Sequence, residues 1–430
     1  MVLTGRAGLV GLFGALPVGL LMPSWSGIAL VSGLLAAAIG VDTALAGRPR
    51  ALVLHRSGPT AVRLGECVQV ALTVANPGRR LHGELRDAWP PSAGAGPRSQ
   101  RVDVPSGGRR TVVTTLRPTR RGDRTADLVT VRTVGPLGLA GRQASHRVPW
   151  TVRVLPPFTS RRHLPSRLAR LRELDGRQAV RVRGQGTEFD ALREYVAGDD
   201  VRSIDWRATA RAADVMVRTW RPERDRHVLI VLDTGRTSAG RVGDAPRLDA
   251  AMDAALLLAA VASHAGDRVD LLCYDRRVRA AVAGTPATRL LPALVDAMAP
   301  VQSALVETDA AGLVAEVVRR AGHRSLVVLL TSLEPAVLDA GLLAGLGTLT
   351  TRHRVVIGAV ADPRIAEMAA ARGNSHAVYQ AAAAERATAQ RRQLADLLTR
   401  RGVRVVDALP DDLPPALTDG YLALKAAGQL

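Results

Sequence analysis

An aspartate that closes an apolar strand, with a hydroxyl a few residues on, is the arrangement from which carboxylate chemistry on a phosphoryl group is built. Here Val228–Leu232 runs into Asp233-x-Gly235-x-Thr237, and a later apolar run, Leu326–Leu330, ends in Thr331 and Ser332. That chemistry needs D-x-D-x-T, whose second carboxylate is the general acid. Gly235 cannot protonate a leaving group, and the only lysine of the chain, Lys425, is badly placed to neutralise a phosphoryl. A hydrolase resting on Asp233 therefore remains an alternative with an incomplete motif.

A second cluster gathers Asp199, Asp200, Arg202, Asp205, Trp206, Arg207 and Arg211 into one short stretch. Val201, Ile204 and Ala208 fall at i, i+3 and i+7, which predicts one amphipathic helix with Asp199 or Asp200 as its N-cap. Capping and packing account for the aspartates and Ile204. A tryptophan among several arginines has the composition of an interaction hot spot, so packing of a linker and docking of a partner both stay open.

Elsewhere the residue types exclude more than they offer. With one lysine there is no G-x-x-x-x-G-K-[ST] loop, and Schiff-base chemistry would rest on Lys425 alone. Cys67 and Cys273 allow no disulfide framework or Cys-rich zinc site. No H-x-H, H-E-x-x-H or G-x-S-x-G pattern occurs.

The 430 residues are ample for several domains, and their charge is unevenly spread. Residues 48–157 carry 19 basic and 6 acidic side chains (+13), 158–226 carry 16 and 11 (+5), and 227–430 carry 22 and 21 (+1). Before them, 35 residues between Arg6 and Asp42 lack any ionisable group. That length predicts two membrane crossings, Ala7–Met22 and Ser26–Ala46, broken at Pro23-Ser24-Trp25. Arginines at the outer ends only (Arg6; Arg48, Arg50) predict that both termini are cytoplasmic and that the +13 segment faces an anionic lipid surface. Ala44-Leu45-Ala46 imitates a signal-peptidase site, but the apolar run is more than twice a normal h-region of about 7–15 residues. Nucleic-acid binding is the other account of the charge; it is not expected, because the basic segment offers only Trp89 and Trp150 as stacking platforms.

Short β-branched runs between Gly/Pro/Asn turns (Val68–Val74, Thr111–Leu116, Leu128–Val134) predict an all-β sandwich over 48–157. Residues 158–226 read as an Arg-rich linker carrying the Trp206 motif, with a turn at Gly184-Gln185-Gly186. From 227 to 430, continuous apolar strands alternate with Ala/Leu-rich helices, the pattern of a doubly wound α/β domain with its ligand position at the carboxyl ends of the strands. The expected fold is multidomain: a transmembrane hairpin over 1–47, the sandwich, the linker, then the α/β domain.

The stretch Gly184–Arg211, with its core G-D-D-V-R-S-I-D-W, and the following V-L-I-V-L-D-T-G-R-T-S resemble the uncharacterised bacterial family of domain of unknown function 58. Pro118–Gly122 (PTRRG) and Val134–Leu139 (VGPLGL) are similar to that family's membrane-proximal region. The resemblance implies two N-terminal membrane helices, a β-sandwich and a von Willebrand factor A-like domain. It also implies genetic neighbours, a MoxR-type AAA+ ATPase and a transglutaminase-like membrane protein, and no established enzymatic activity. A-type domains typically hold Mg²⁺ through D-x-S-x-S, a threonine and a distant aspartate. The corresponding positions here are Asp233, Gly235, Thr237, Thr308 and Ser332, which lack one hydroxyl and one carboxylate, so no cofactor is expected and Mg²⁺ is the ion a degenerate site would take. The resulting expectation is a membrane-anchored, cytoplasm-facing interaction protein working with the ATPase.

Overall fold

A computed structural model of the chain describes every residue except 22, 182–187, 197–198, 200, 213, 222–225, 323 and 335–340. The chain forms two compact units, Met1–Leu155 and Pro156–Leu430. The first opens with a short strand, β1 (Val2–Leu3), helix α1 (Gly5–Leu21) and helix α2 (Trp25–Leu45).

The expectation of two transmembrane helices over 1–47 is not met. Among the described residues one helix, starting at Trp25, is long and apolar enough to cross a bilayer. The 35-residue apolar run divides unequally, because Ser24 accepts from the Gly27 amide and starts α2 there. The 17 residues of α1, with Pro17 among them, reach about 26 Å, short of a hydrocarbon core of about 30 Å. The 21 residues of α2 reach about 32 Å.

Strands β2 (Val53–Ser57), β3 (Ala61–Arg63), β4 (Val68–Ala75), β5 (Leu81–Asp87), β6 (Ala95–Gly96), β7 (Ser99–Val104), β8 (Arg109–Leu116), β9 (Gly122–Val134) and β10 (Ala140–Leu155) complete this unit. One sheet runs β1-β10-β9-β5-β7 with β3 beside β10, and the other runs β2-β4-β8-β6. Side chains alternate in and out along β4 and β5, as a sheet with one wet face requires. Leu72 and Val112 of one sheet share a core with Leu85, Val102 and Val131 of the other. Inside lies an ion pair between Arg56 and Asp87, with Trp89 Nε1 donating to Asp87 at 2.9 Å and Arg56 over the Trp89 ring. Burial pushes the Asp87 carboxyl above its ordinary value, against the pull of Arg56.

The second unit contains α3 (Leu164–Arg181), β11 (Glu188–Glu194), α4 (Trp206–Thr209), β12 (Met216–Arg221), β13 (His227–Asp233), β14 (Arg241–Val242), β15 (Ala245–Pro246), α5 (Arg247–His264), β16 (Arg268–Tyr274) and β17 (Val278–Val282). After these come α6 (Ala287–Met298), α7 (Ala310–Arg320), β18 (Ser325–Leu330), α8 (Leu343–Arg352), β19 (Arg354–Val360), α9 (Pro363–Ala370), α10 (Ser375–Arg400), β20 (Arg404–Ala408) and α11 (Leu413–Ala426). The turn expected at Gly184-Gln185-Gly186 lies outside the described residues.

The main sheet has the order β17-β16-β13-β18-β19-β20. It is mixed and not wholly parallel, since β17 pairs antiparallel with β16. Only residues 275–277 join those strands, too few for the crossover of a dozen or more residues that a parallel pair demands. Leu229 and Val231 of β13 pack on one face with Leu313 and Val317 of α7 and Leu346 of α8. On the other face lies α5, buried from Leu248 to Ala262 save Ala250. With both faces covered, β13 is buried from Val228 to Asp233.

Candidate functional site

The carboxyl end of β13 gathers most of the polar groups singled out in the sequence. Residues two apart on a strand share a face, so Asp233 follows Leu229 and Val231 onto the α7 side. Thr331 follows Val327 and Leu329 there, and β13 and β18 are in register up to Leu232 beside Leu330. Asp233 and Thr331 thus meet: Thr331 Oγ1 donates to Asp233 Oδ2 at 2.6 Å, and Thr308 Oγ1 donates to Oδ1 at 2.5 Å. The Gly235 amide donates to the same Oδ1 at 2.9 Å, and Ser238 Oγ donates to the Asp233 carbonyl at 2.6 Å. Asp233 is 2 % exposed. Asp233, Thr308 and Thr331 line a small cleft with Arg236, Thr237, Glu307 and Leu342.

Ser332, one residue further on, leaves this cluster. Its hydroxyl accepts from Arg247 Nη1 at 3.1 Å and donates to Glu334 at 2.9 Å. Arg247, on α5, also donates to the Thr237 carbonyl at 3.2 Å and pairs with Glu334 at 3.0 Å. Of the degenerate metal set, Asp233, Thr237 and Thr308 come together and Ser332 does not; Thr331 takes the place beside the carboxylate. Alternation along β18 was the signal for it, masked because a strand buried on both faces shows no polar period.

This donor set does not fit Mg²⁺, which is usually held by one or two carboxylates in an open oxygen shell. Asp233 supplies one carboxylate whose two oxygens already accept three hydrogen bonds. A guanidinium stands at Ser332, where the second carboxylate would be needed. A side chain at 235 is excluded as well, because a Cβ there would lie 2.1 Å from Thr308 Oγ1. Among the described residues no group of three or more His, Cys, Asp or Glu could hold a metal.

The Asp199–Arg211 motif folds differently from the single helix its spacing predicts. Val201–Ser203 is a 3-10 turn, Ile204 bridges Val217 of β12, and α4 begins only at Trp206. The Asp205 amide donates to the Met216 carbonyl at 2.9 Å, so β12 recruits the backbone that a longer helix would have used. The cap is Asp205 and not Asp199: its Oδ1 accepts from the Arg207 and Ala208 amides at 3.0 and 3.1 Å, and its Oδ2 accepts from Arg218 at 2.7 Å. The Ala208 amide first, then Arg218, holds the Asp205 carboxyl below its ordinary range. Asp199 accepts from Arg193 at 2.5 Å and from the Val196 amide at 2.9 Å; Arg193 chiefly lowers its pKa. Asp200 lies outside the described residues. Arg202 is exposed on the 3-10 turn.

Trp206 is thereby held on a fixed backbone with its side chain outward, 67 % exposed. Arg207 and Arg211 are exposed beside it in sequence and form no ion pair among the described residues.

Fold and site together define a two-unit protein, one unit of β-sheets behind an apolar N-terminal helix, the other an α/β sheet whose carboxyl-end cluster is internally satisfied. The chain belongs to the family described as "Protein of unknown function DUF58", whose model matches residues 191–409. The uncharacterized protein Rv1480 of Mycobacterium tuberculosis (strain H37Rv) and the uncharacterized protein Mb1516 of Mycobacterium bovis are each 25 % identical over 189 residues, 44 % of this chain. The chain covers 59 % of the length of these relatives. Among solved structures, the conserved hypothetical protein BatB from Bacteroides thetaiotaomicron is similar at a TM-score of 0.29 and 13 % identity, covering 46 % of this chain and 98 % of that one. The CARDB domain of the PF1109 protein from Pyrococcus furiosus is similar at 0.19 and 14 %, covering 24 % and 91 %.

Proposed function

We propose that this chain is a non-catalytic interaction protein, anchored in a membrane by α2, whose second unit docks a partner through Trp206, Arg207 and Arg211. The observation that carries the reading is the fixed, outward Trp206. Two hydrogen bonds to its helix cap and an ion pair to Arg218 hold the backbone, while the indole itself is two-thirds in water. An exposed large aromatic next to a hydrogen-bonded helix cap, followed at i+1 and i+5 by exposed arginines with no ion pair among the described residues, has the make-up of a binding anchor. The Asp233 cluster supports the non-catalytic half, since the Asp233 carboxylate already accepts from three internal donors and the other carboxylate of the cleft, Glu307, pairs with Arg236.

Arg48 and Arg50 directly after α2, and the basic excess beyond them, support a cytoplasmic position for residues 48–430. For the partner we propose a MoxR-type AAA+ ATPase, on the strength of the family resemblance of the Gly184–Arg211 stretch and the demand for an acidic face opposite Arg207 and Arg211. A transglutaminase-like membrane protein is proposed as a further member of the same assembly. The test is a binding titration of the full chain in detergent or nanodiscs against a purified MoxR-type AAA+ ATPase. Trp206→Ala should weaken binding roughly thirtyfold or more with the fold intact. Equal affinity of wild type and variant would refute the reading.

A further inference from the structure

We propose that the turn joining β9 to β10, residues 134–139, lies in the membrane interface and, with Arg6 and Arg142, forms a binding surface for anionic phospholipid headgroups. This rests on the reading of α2 as the membrane anchor, with α1 packed antiparallel along it, Gly11 against Leu35 and Gly14 against Val31, which brings Thr4 and Arg6 back to the foot of α2.

The starting point is a carboxylate in an unexpected place. Asp42 sits in the last turn of an otherwise apolar α2, yet it is fully buried. Its oxygens accept from three amides of the β9–β10 connection: Leu137 at 2.7 Å, Leu139 at 2.8 Å and Ala140 at 2.7 Å. Gly135 allows the approach, because a Cβ there would lie 2.2 Å from Asp42 Oδ1. Thr4, just before α1, adds two bonds, its amide to the Leu139 carbonyl at 3.0 Å and its hydroxyl to the Gly138 carbonyl at 2.6 Å. The turn is therefore bolted to the foot of the anchoring helix and must lie at the level where that helix leaves the hydrocarbon.

At that level its outward surface is apolar. Leu137 is 53 % exposed, with Pro136 exposed beside it, and Leu3 and Leu45 are likewise exposed. With the Leu137 and Leu139 amides bound by Asp42, inserting this tip strips little hydration from the backbone.

Cations flank it. The Arg6 guanidinium lies against Gly138, where a Cβ would be 3.0 Å from Nη1, and it forms no ion pair among the described residues. Arg142 Nε donates to the Thr43 carbonyl of α2 at 2.9 Å, which holds the half-buried guanidinium at the helix foot. A guanidinium matches a phosphate with paired donors, and the cytoplasmic leaflet is the anionic one. A lipid headgroup is favoured over a protein partner because the patch is continuous with the anchor itself.

The test uses the full chain in nanodiscs of phosphatidylcholine with and without phosphatidylglycerol. With the exposed Cys67 replaced (Cys67→Ser) and Cys273 buried, Leu137→Cys carries an environment-sensitive dye. The dye should report an apolar setting and be quenched by nitroxide-labelled lipid. Phosphatidylglycerol should be enriched around the wild-type chain, and Arg6→Gln should lower that enrichment about fivefold, as expected for one arginine at an anionic surface. Arg142→Gln should lower it similarly, but Arg6→Gln is the cleaner variant because Arg142 also holds the Thr43 carbonyl. A water-exposed dye, or phosphatidylglycerol retained equally by wild type and Arg6→Gln, would overturn the proposal while α2 still resists carbonate extraction. Extraction of the wild-type chain by carbonate would overturn the anchor and the proposal together.

Discussion

Two aspartates, Asp233 and Asp205, occupy opposite situations in the same unit. Asp233 closes a buried strand and has the spacing of a catalytic or metal-binding carboxylate, and its oxygens accept from Thr308, Thr331 and the Gly235 amide. Asp205, which the sequence spacing does not single out as the cap, caps α4, and its bonds hold the backbone that presents an exposed tryptophan. Chemistry-like spacing here coincides with an internally bonded carboxylate, and the helix cap with an exposed tryptophan. The difference lies in what each set of bonds surrounds: a buried carboxylate at Asp233, and an exposed indole with two exposed arginines after Asp205.

That contrast can be broken at either end. The largest effect should come from Asp233→Ala, which strands the Thr308 and Thr331 hydroxyls and the Gly235 amide in a buried site. It should cost about 3 kcal/mol in denaturant unfolding, with partner affinity unchanged for the folded protein. Trp206→Ala should behave inversely, losing about 2 kcal/mol or more of binding with the melting temperature near that of wild type. Arg207→Ala and Arg211→Ala should shift stability by no more than about 0.5 kcal/mol. Their replacement by glutamate should slow association more than alanine does, and added salt should narrow the gap, as stopped-flow mixing would show. If both arginine variants unfold instead, the motif is an internal clasp.

A smaller, local effect should follow pH. Asp199 and Asp205 have folded-state pKa values below the ordinary 3.8, so each contributes stability above that value that is lost as pH falls through the lowered ones. Amide protection at Val196 and Ala208 should drop in that acidic window before the main sheet unfolds. The smallest effect is none: melting midpoints with EDTA and with millimolar Mg²⁺ should coincide, since an ion bound only by the folded state would raise them. A rise in Mg²⁺ that Asp233→Ala removes would show that the cluster does hold the ion.

Much of the second unit was legible because its segments are long and strongly patterned. The apolar runs at Val228–Leu232 and Leu326–Leu330 coincide with β13 and β18. What escaped depended on contacts distant in sequence. The charge-free N-terminal run gave length but not its division, which Ser24 sets by starting α2. The Val201–Ile204–Ala208 spacing is helical, but pairing of Ile204 with Val217 overrode it and moved the cap to Asp205. Lys425, the only lysine, showed no core position in its sequence context, yet it is buried, its Nζ 2.7 Å from Asp267 and its ammonium near the Tyr421 ring. Thr331 was visible as a strand end, but only the register between β13 and β18 sets it beside Asp233.

The most direct test of the account is a single titration of the purified MoxR-type ATPase against wild type, Trp206→Ala and Asp233→Ala, each shown folded by its melting curve. The account predicts that Trp206→Ala loses roughly thirtyfold or more in affinity while Asp233→Ala binds like wild type. Wild-type affinity in Trp206→Ala, together with loss of binding in folded Asp233→Ala, would contradict it and place the functional surface at the carboxyl end of the sheet.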